Sequence, residues 1–339
     1  MIAARLRAQL LSGPPARDPV AVATRLLAIQ GQDPRGARLA IRARSAGLAA
    51  VDVDHALTED RSLVITWLNR GTLHLVVSED YPALQALTAP PNLKGTMRRL
   101  AQEGVSPEAA ERGVAVMDNA LGESGPLTRE QLQPRIEAAG VRTGGQALIH
   151  ILALACLRGL AVRGPMVDGR HAYARVPDWL GGPPPVDRQR ALAELARRYL
   201  EGHGPAGDRD LAKWAGLPVR DARAGLKAIA GLLEEREHGL VDLVSRRGTA
   251  ALPAPKLLGA FDPVLLGWSS REPLLGANAR RVTANGMFRP FALVAGRAAA
   301  TWRLPRGEVA LEPFEHLSVD VTAALEKEAA DVVRFLSES

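Results

Sequence analysis

The chain has 339 residues, 47% of them hydrophobic, and carries 43 basic against 37 acidic side chains for a net charge of +6. That length serves roughly two to four modules with cores of their own, and the composition excludes a disordered or fibrous chain. The longest apolar run, 147–157, is interrupted by His150 and is too short to span a bilayer, while Cys156 as the only cysteine excludes an intrachain disulfide and a cysteine zinc cluster.

In chain order, helical spacing runs over 18–29 and again over 34–45. Asp33 is the expected N-cap of the second helix, with Pro34 at its first position. Between them lies a corner that reads Gln30-Gly31-Gln32. Gln30 is expected at the end of the first helix and Gln32 in the turn before the second. A short helix over 52–60 follows, and 62–77 alternates around Asn69-Arg70-Gly71 in the manner of a hairpin. Helices followed by a hairpin is the order of a winged helix.

The order then recurs. A helix is expected over 106–121, with Ser106 as its cap. Another is expected over 128–139, where Thr128 and Gln131 form a capping box, and a third, apolar one over 144–158. Strands at 160–164 and 171–175 flank a turn through 165–169. After the linker at 181–187 come helices at 187–202, 208–217 and 218–230, then a strand–turn–strand at 232–244. Residues 210–226 have the form of a helix-turn-helix pivoting on Gly216 and Pro218. The tail from 256 is strand-like at 291–295, 299–304 and 307–312 and closes with an amphipathic helix over about 320–337. The fold expected is mainly α with small β-wings (α+β). Its modules are a first winged helix at 1–100, a second at 101–180, a third at 186–250, and a β-rich C-terminal domain with a terminal helix at 256–339.

The chemistry-bearing motifs are few. No Walker-type glycine loop, HExxH pair or Gly-x-Ser-x-Gly elbow occurs, so neither a metal nor a cofactor is expected. Of the basic residues five are lysine and 38 arginine. Arginine's planar fork suits phosphate, although GC-rich coding produces the same excess. The start of the chain lacks the apolar segment of a signal peptide, so a cytoplasmic, nucleoid-associated location is expected. Arg35, Arg38 and Arg42 are spaced i, i+3, i+7 and share one helical face beginning at a helix N-terminus, a place that favours phosphate. The two neutral amides beside that face either cap helix ends or meet a base, a sugar or a water.

Three stretches, LLAIQGQDPRGARLAIRAR (26–44), TWLNRGTLHLV (66–76) and LLGAFDPVLLGW (257–268) followed by NGMFRPFALVAGRAAATW (285–302), occur in order over nearly the whole chain. Together they resemble the bacterial winged-helix DNA glycosylases, the AlkZ/YcaQ-like enzymes that unhook interstrand crosslinks. The resemblance implies tandem winged helices around DNA, with an open cleft in which a bulky or tethered base need not flip freely. It also implies a catalytic pair at Gln30 and Gln32. The family's pattern has an apolar residue between the two positions, where this chain has Gly31. The third position is Gln32 and not aspartate, as in the branch that resembles self-resistance enzymes of producers of DNA-alkylating natural products.

On this reading the chain is a monofunctional glycosylase releasing cationic N7-alkylguanine adducts or crosslinks. Its partner is double-stranded DNA with alkylated guanine; no membrane and no protein partner is inferred. Gln30 and Gln32 hold the attacking water and steady the sugar cation. Phosphate contacts are expected at Arg35, Arg38 and Arg42, and on the wings at Arg70, His74, Arg163, Arg170, Arg246 and Arg247. Asp262 opens a turn, and its loop is expected to face the lesion. Trp67, Trp214, Trp268 and Trp302 are expected in the core. Two rival readings remain: a non-catalytic winged-helix DNA binder, either a regulator or a lesion-shielding factor, and a protein whose β-rich tail binds a drug directly.

Overall fold

A computed structural model describes residues 1–337 other than 183, 247 and 249. The chain forms two compact units, one of residues 54–191 and one that joins residues 1–53 to 192–339. This division differs from a run of four consecutive modules. The helix Pro90–Gln102 crosses the boundary expected between 100 and 101.

In the 54–191 unit the hairpin Leu63–Trp67/Leu73–Val77 turns through Asn69–Gly71, with Arg70 and Gly71 both left-handed. Gly71 tolerates that conformation because it has no Cβ. The second hairpin, Ala161–Val167/Arg170–Arg175, pairs with the first through Ile65 and Arg163. The sheet order in this unit is Leu73–Val77, Leu63–Trp67, Ala161–Val167, Arg170–Arg175, Leu127–Thr128. The expected turn over 165–169 is shorter in the structure, with only Asp168 and Gly169 left-handed between the strands. Pro165, which cannot donate to a ladder, sits where the register shifts between Arg163 and Met166.

The helix Ala147–Leu157 is apolar on nearly every side and therefore buried. It packs on Pro90–Gln102, Pro107–Ser124 and Leu63–Trp67. Ser106 caps the Pro107–Ser124 helix, and Thr128 and Gln131 form the expected capping box. The helices Tyr81–Thr88 and Pro90–Gln102 had no counterpart in the sequence reading. The Pro90-Pro91 pair reads as a breaker, but proline at a helix's first positions costs no hydrogen bond.

In the other unit the helices Asp208–Ala215 and Val219–Ala228 meet at Gly216, which takes the left-handed cap conformation. The hairpin Leu233–Arg236/Leu240–Leu243 follows. The C-terminal strands lie in the order Ala310–Pro313, Arg297–Arg303, Phe291–Val294, Lys256–Leu258. The terminal helix Val319–Ser337 packs on Lys256–Leu258 and on Pro34–Arg42. All four tryptophans expected in the core are buried. No described helix is long and apolar enough to cross a membrane.

Helix Arg188–His203 joins this core through an aromatic cluster. The Tyr199 and His203 rings stack at 4.8 Å, and Trp214 and Trp268 lie 5.2 and 6.0 Å from His203. His203 Nδ1–H donates to the Tyr199 carbonyl at 3.1 Å, and Trp268 Nε1–H donates to the His203 carbonyl at 2.8 Å. Burial pushes the imidazole pKa down to about 3, so the ring is neutral in the folded protein. The unfolded chain takes up that proton first, near pH 6.5. Stability is therefore expected to be full above pH 6.5 and to fall as pH drops toward 3. Equilibrium urea unfolding across that range checks this. His203→Phe, which keeps a stacking ring but no titration, should show a smaller acid loss than the parent.

Candidate active site at the glutamine corner

The helix Pro19–Leu26 ends abruptly because Leu27 is left-handed, with φ 63°. The chain then runs extended through Ile29–Gln30. Gln30 is thus on a short strand and not at a helix end, which corrects the sequence expectation. Gly31 is buried and Gln32 is exposed. Asp33 caps the next helix, Pro34–Arg42, accepting from the backbone N–H of Arg35 at 3.0 Å and of Gly36 at 3.2 Å.

The corner brings the two carboxamides together. Gln30 Nε2 donates to Gln32 Oε1 at 2.6 Å. Gln30 is 5% exposed, so the inner amide holds the outer one where solvent meets the surface. A pair so arranged presents dipoles of fixed direction and no titratable proton.

The first turn of the Pro34–Arg42 helix lies against the loop that follows Leu258. A Cβ at Gly36 would collide with the Ala260 carbonyl oxygen, and a Cβ at Gly259 would stand 3.0 Å from Leu39 Cβ and 3.1 Å from Gly36 Cα. Two glycines are therefore required where backbone meets backbone.

The expected arginine face is divided by the fold. Arg35 is exposed. Arg38 is buried, and its Nη1 donates to the Pro34 carbonyl at 3.0 Å. Arg42 does not grip phosphate. It donates to Glu328 at 2.8 Å, Asp331 at 2.9 Å and the Leu257 carbonyl at 2.7 Å, beneath the terminal helix. Against a burial that pushes both up, the Arg42 cation, with Lys256, holds the Glu328 carboxyl below its ordinary range, and Arg334, followed by Arg42, does the same for Asp331.

Asp262 also departs from expectation. It is fully buried and does not face a lesion. Its two oxygens accept from Arg44 at 2.7 and 2.9 Å, and Oδ1 also accepts from the Val264 N–H at 2.9 Å. Arg44 is fully buried as well. Its remaining donors reach the Gln9 carbonyl and Oε1 and the Ala40 carbonyl, at 2.8 to 2.9 Å. Sequence reasoning missed Arg44, although it closes the same LAIRAR run.

The other expected phosphate contacts lie elsewhere. In the first hairpin, Arg70 is half-buried at the tip. His74 is buried, and its Nδ1–H donates to the Thr72 carbonyl at 2.9 Å. Burial, and then the Arg70 cation, push the imidazole pKa down to about 3. A neutral, inward ring offers a phosphate no charge, so that expectation is corrected. In the second hairpin Arg163 is half-buried and Arg170 is exposed, 3.7 Å from Glu130. Arg246 is taken up structurally. It pairs with Asp242 at 2.9 Å and donates to the carbonyls of Leu200, Glu201 and Gly204. Arg247 lies outside the described residues.

Comparison with known proteins identifies the family. The family described as DNA glycosylase AlkZ-like matches residues 23–335. The chain belongs to that family of DNA glycosylases. A curated relative, the interstrand DNA cross-link repair glycosylase of Streptomyces sahachiroi, is 27% identical over 92% of this chain and 89% of its own length. The solved structure of the Streptomyces sahachiroi DNA glycosylase AlkZ superimposes with a TM-score of 0.80 and 25% identity, over 98% of this chain and 95% of that one.

The buried ion pair sets an expectation for stability. Asp262→Leu leaves the Arg44 charge inside without a counter-ion and should cost about 3–5 kcal/mol, whereas the charge-free double variant Arg44→Met/Asp262→Leu should cost much less. Urea denaturation of the two variants checks the difference.

Proposed function

We propose that this chain hydrolyses the N-glycosidic bond of N7-alkylguanine in duplex DNA, as monoadducts or as interstrand crosslinks. In a producer of a DNA-alkylating natural product it would serve self-resistance. The observation that carries the reading is the Gln30–Gln32 carboxamide pair, joined at 2.6 Å with its outer member exposed. The match to a cross-link repair glycosylase over most of both chains supports the substrate class.

The chemistry follows from what an amide can and cannot do. It has no useful titration near neutrality, so it is neither a general acid nor a general base. It can orient a water and lay a dipole against developing charge. Most nucleosides would resist such help, because their base leaves as an anion unless it is protonated. Guanine alkylated at N7 already carries a positive charge and leaves neutral. What remains is an oxocarbenium-like sugar and its capture by water. The water adds to C1′ and gives up its proton to solvent, leaving an abasic site and the free alkylguanine. Dipoles placed before the charge forms contribute about 3–4 kcal/mol per donor at comparable sites. The residue types thereby select cationic purines over neutral lesions.

In the same reading the helix-and-hairpin segments act as winged-helix modules holding the duplex. Arg35, beside the corner, meets a backbone phosphate, with Arg38 behind it and Arg70, Arg163 and Arg170 on the wings.

Two measurements test this. Incubation with N7-alkylated or crosslinked duplex, followed by mass analysis of the released bases, should show free alkylguanine. Gln32→Ala or Gln30→Ala should lower release by about 10²–10³-fold, on the scale of losing one such donor, while duplex affinity stays close to the parent's. No release by the parent protein would leave a DNA binder without catalysis. Separately, Arg35→Gln should flatten the plot of log affinity against log salt by about 0.9, the increment for one phosphate contact. An unchanged slope removes Arg35 from the interface.

A further inference from the structure

We infer that Asp262, acting through Arg44, is a positioning residue for the glutamine pair. The inference rests on the reading that this pair does the chemistry. It goes beyond that reading by assigning a role to a carboxylate that cannot itself touch DNA.

Three independent observations converge. The first is saturation. Arg44 has five N–H donors, and all five are used: two on Asp262, two on Gln9 and one on the Ala40 carbonyl. Neither ion is exposed to any degree. A buried ion pair is weak evidence for stability alone, since apolar residues of similar volume often serve as well. A saturated, bidentate pair instead fixes direction. It ties the residue two beyond the Pro34–Arg42 helix to the loop that follows Leu258.

The second is close approach. That loop touches the other end of the same helix, where Gly36 leaves no room for a Cβ beneath Ala260 and Gly259 lies over Leu39. The helix is therefore gripped at its last turn by the ion pair and at its first turn by backbone contact. The first turn is also where Asp33 caps Gly36, one residue past Gln32. A shift of the loop is transmitted to the corner within a single turn.

The third is strain. Phe261, between Ala260 and Asp262, is left-handed with φ 56°, although it is a bulky, buried residue whose ring lies 5.2 Å from Phe288. Such a conformation persists only where the surroundings over-determine it. Here the anchors are the Asp262 carboxylate on one side and the Ala260–Gly36 contact on the other.

The test uses the full chain. Asp262→Asn keeps the shape of the side chain and removes its charge. Its duplex affinity, its far-UV circular dichroism and its single-turnover release of N7-methylguanine at saturating enzyme are compared with the parent's. The same substitution is then placed in a Gln32→Ala background. The expected result is a less stable protein with unchanged affinity and far-UV spectrum, and a release rate lower by about 10–10²-fold, as for a misplacement of about an ångström. In the Gln32→Ala background it should cost less than about twofold more, because two residues acting as one unit are not additive. An equal loss in both backgrounds, or a parental rate for Asp262→Asn, overturns the proposal and leaves the pair as scaffolding only. If Asp262→Asn does not fold, Arg44→Met/Asp262→Leu carries the same comparison with the same two outcomes. Full activity of Gln32→Ala would sink the glutamine reading by itself. The effect of Asp262 on rate would still be read independently.

Discussion

A single guanidinium–carboxylate contact organises the helix that follows the glutamine corner. Arg44 and Asp262 meet where water does not reach, so neither can be left unpaired without a large desolvation penalty. Their contact spans 218 positions of sequence, and Gln9 joins it from a further 35 positions upstream. Three distant stretches are thus committed to one geometry around the end of one short helix. Arg42 makes a second, partly buried tie to the terminal helix through Glu328 and Asp331. The helix after the glutamine corner cannot move without breaking these charge pairs.

That rigidity suits the chemistry proposed for the corner, which uses no acid and no base. A dipole's effect depends on its direction as well as on its distance from the developing charge. The corner achieves direction by making one carboxamide the partner of the other. The Asp33 cap begins the next helix immediately after the pair.

Local grammar made much of this legible in the sequence. Asp33-Pro34, Ser106-Pro107 and Thr128 with Gln131 are complete cap signals, and each cap is where the sequence places it. The Asn69-Arg70-Gly71 and His238-Gly239 turns locate two hairpins, and Gly216 locates the joint of the helix-turn-helix. Arginine was the blind spot. Arg35, Arg38 and Arg42 look equivalent by spacing, yet only Arg35 is exposed, because the partners of Arg42 lie nearly 300 positions away. Arg246 and Asp262 show the same problem: a cation after a hairpin and a turn carboxylate are each consumed by partners distant in sequence. Spacing along a helix tells which side chains share a face and says nothing of what will cover that face.

The discontinuous unit has a consequence for how the protein comes into being. Residues 1–53, which include both glutamines, complete their fold only with residues 192–339. During synthesis the corner emerges first, and its anchors at Asp262, Glu328 and Asp331 emerge last. Domains generally fold as their residues leave the ribosome. This unit must wait, while the intervening 54–191 unit has all of its own strands and helices in hand. A chain that stops before Val319–Ser337 therefore lacks the Glu328 and Asp331 anchors of the helix beside the glutamine corner.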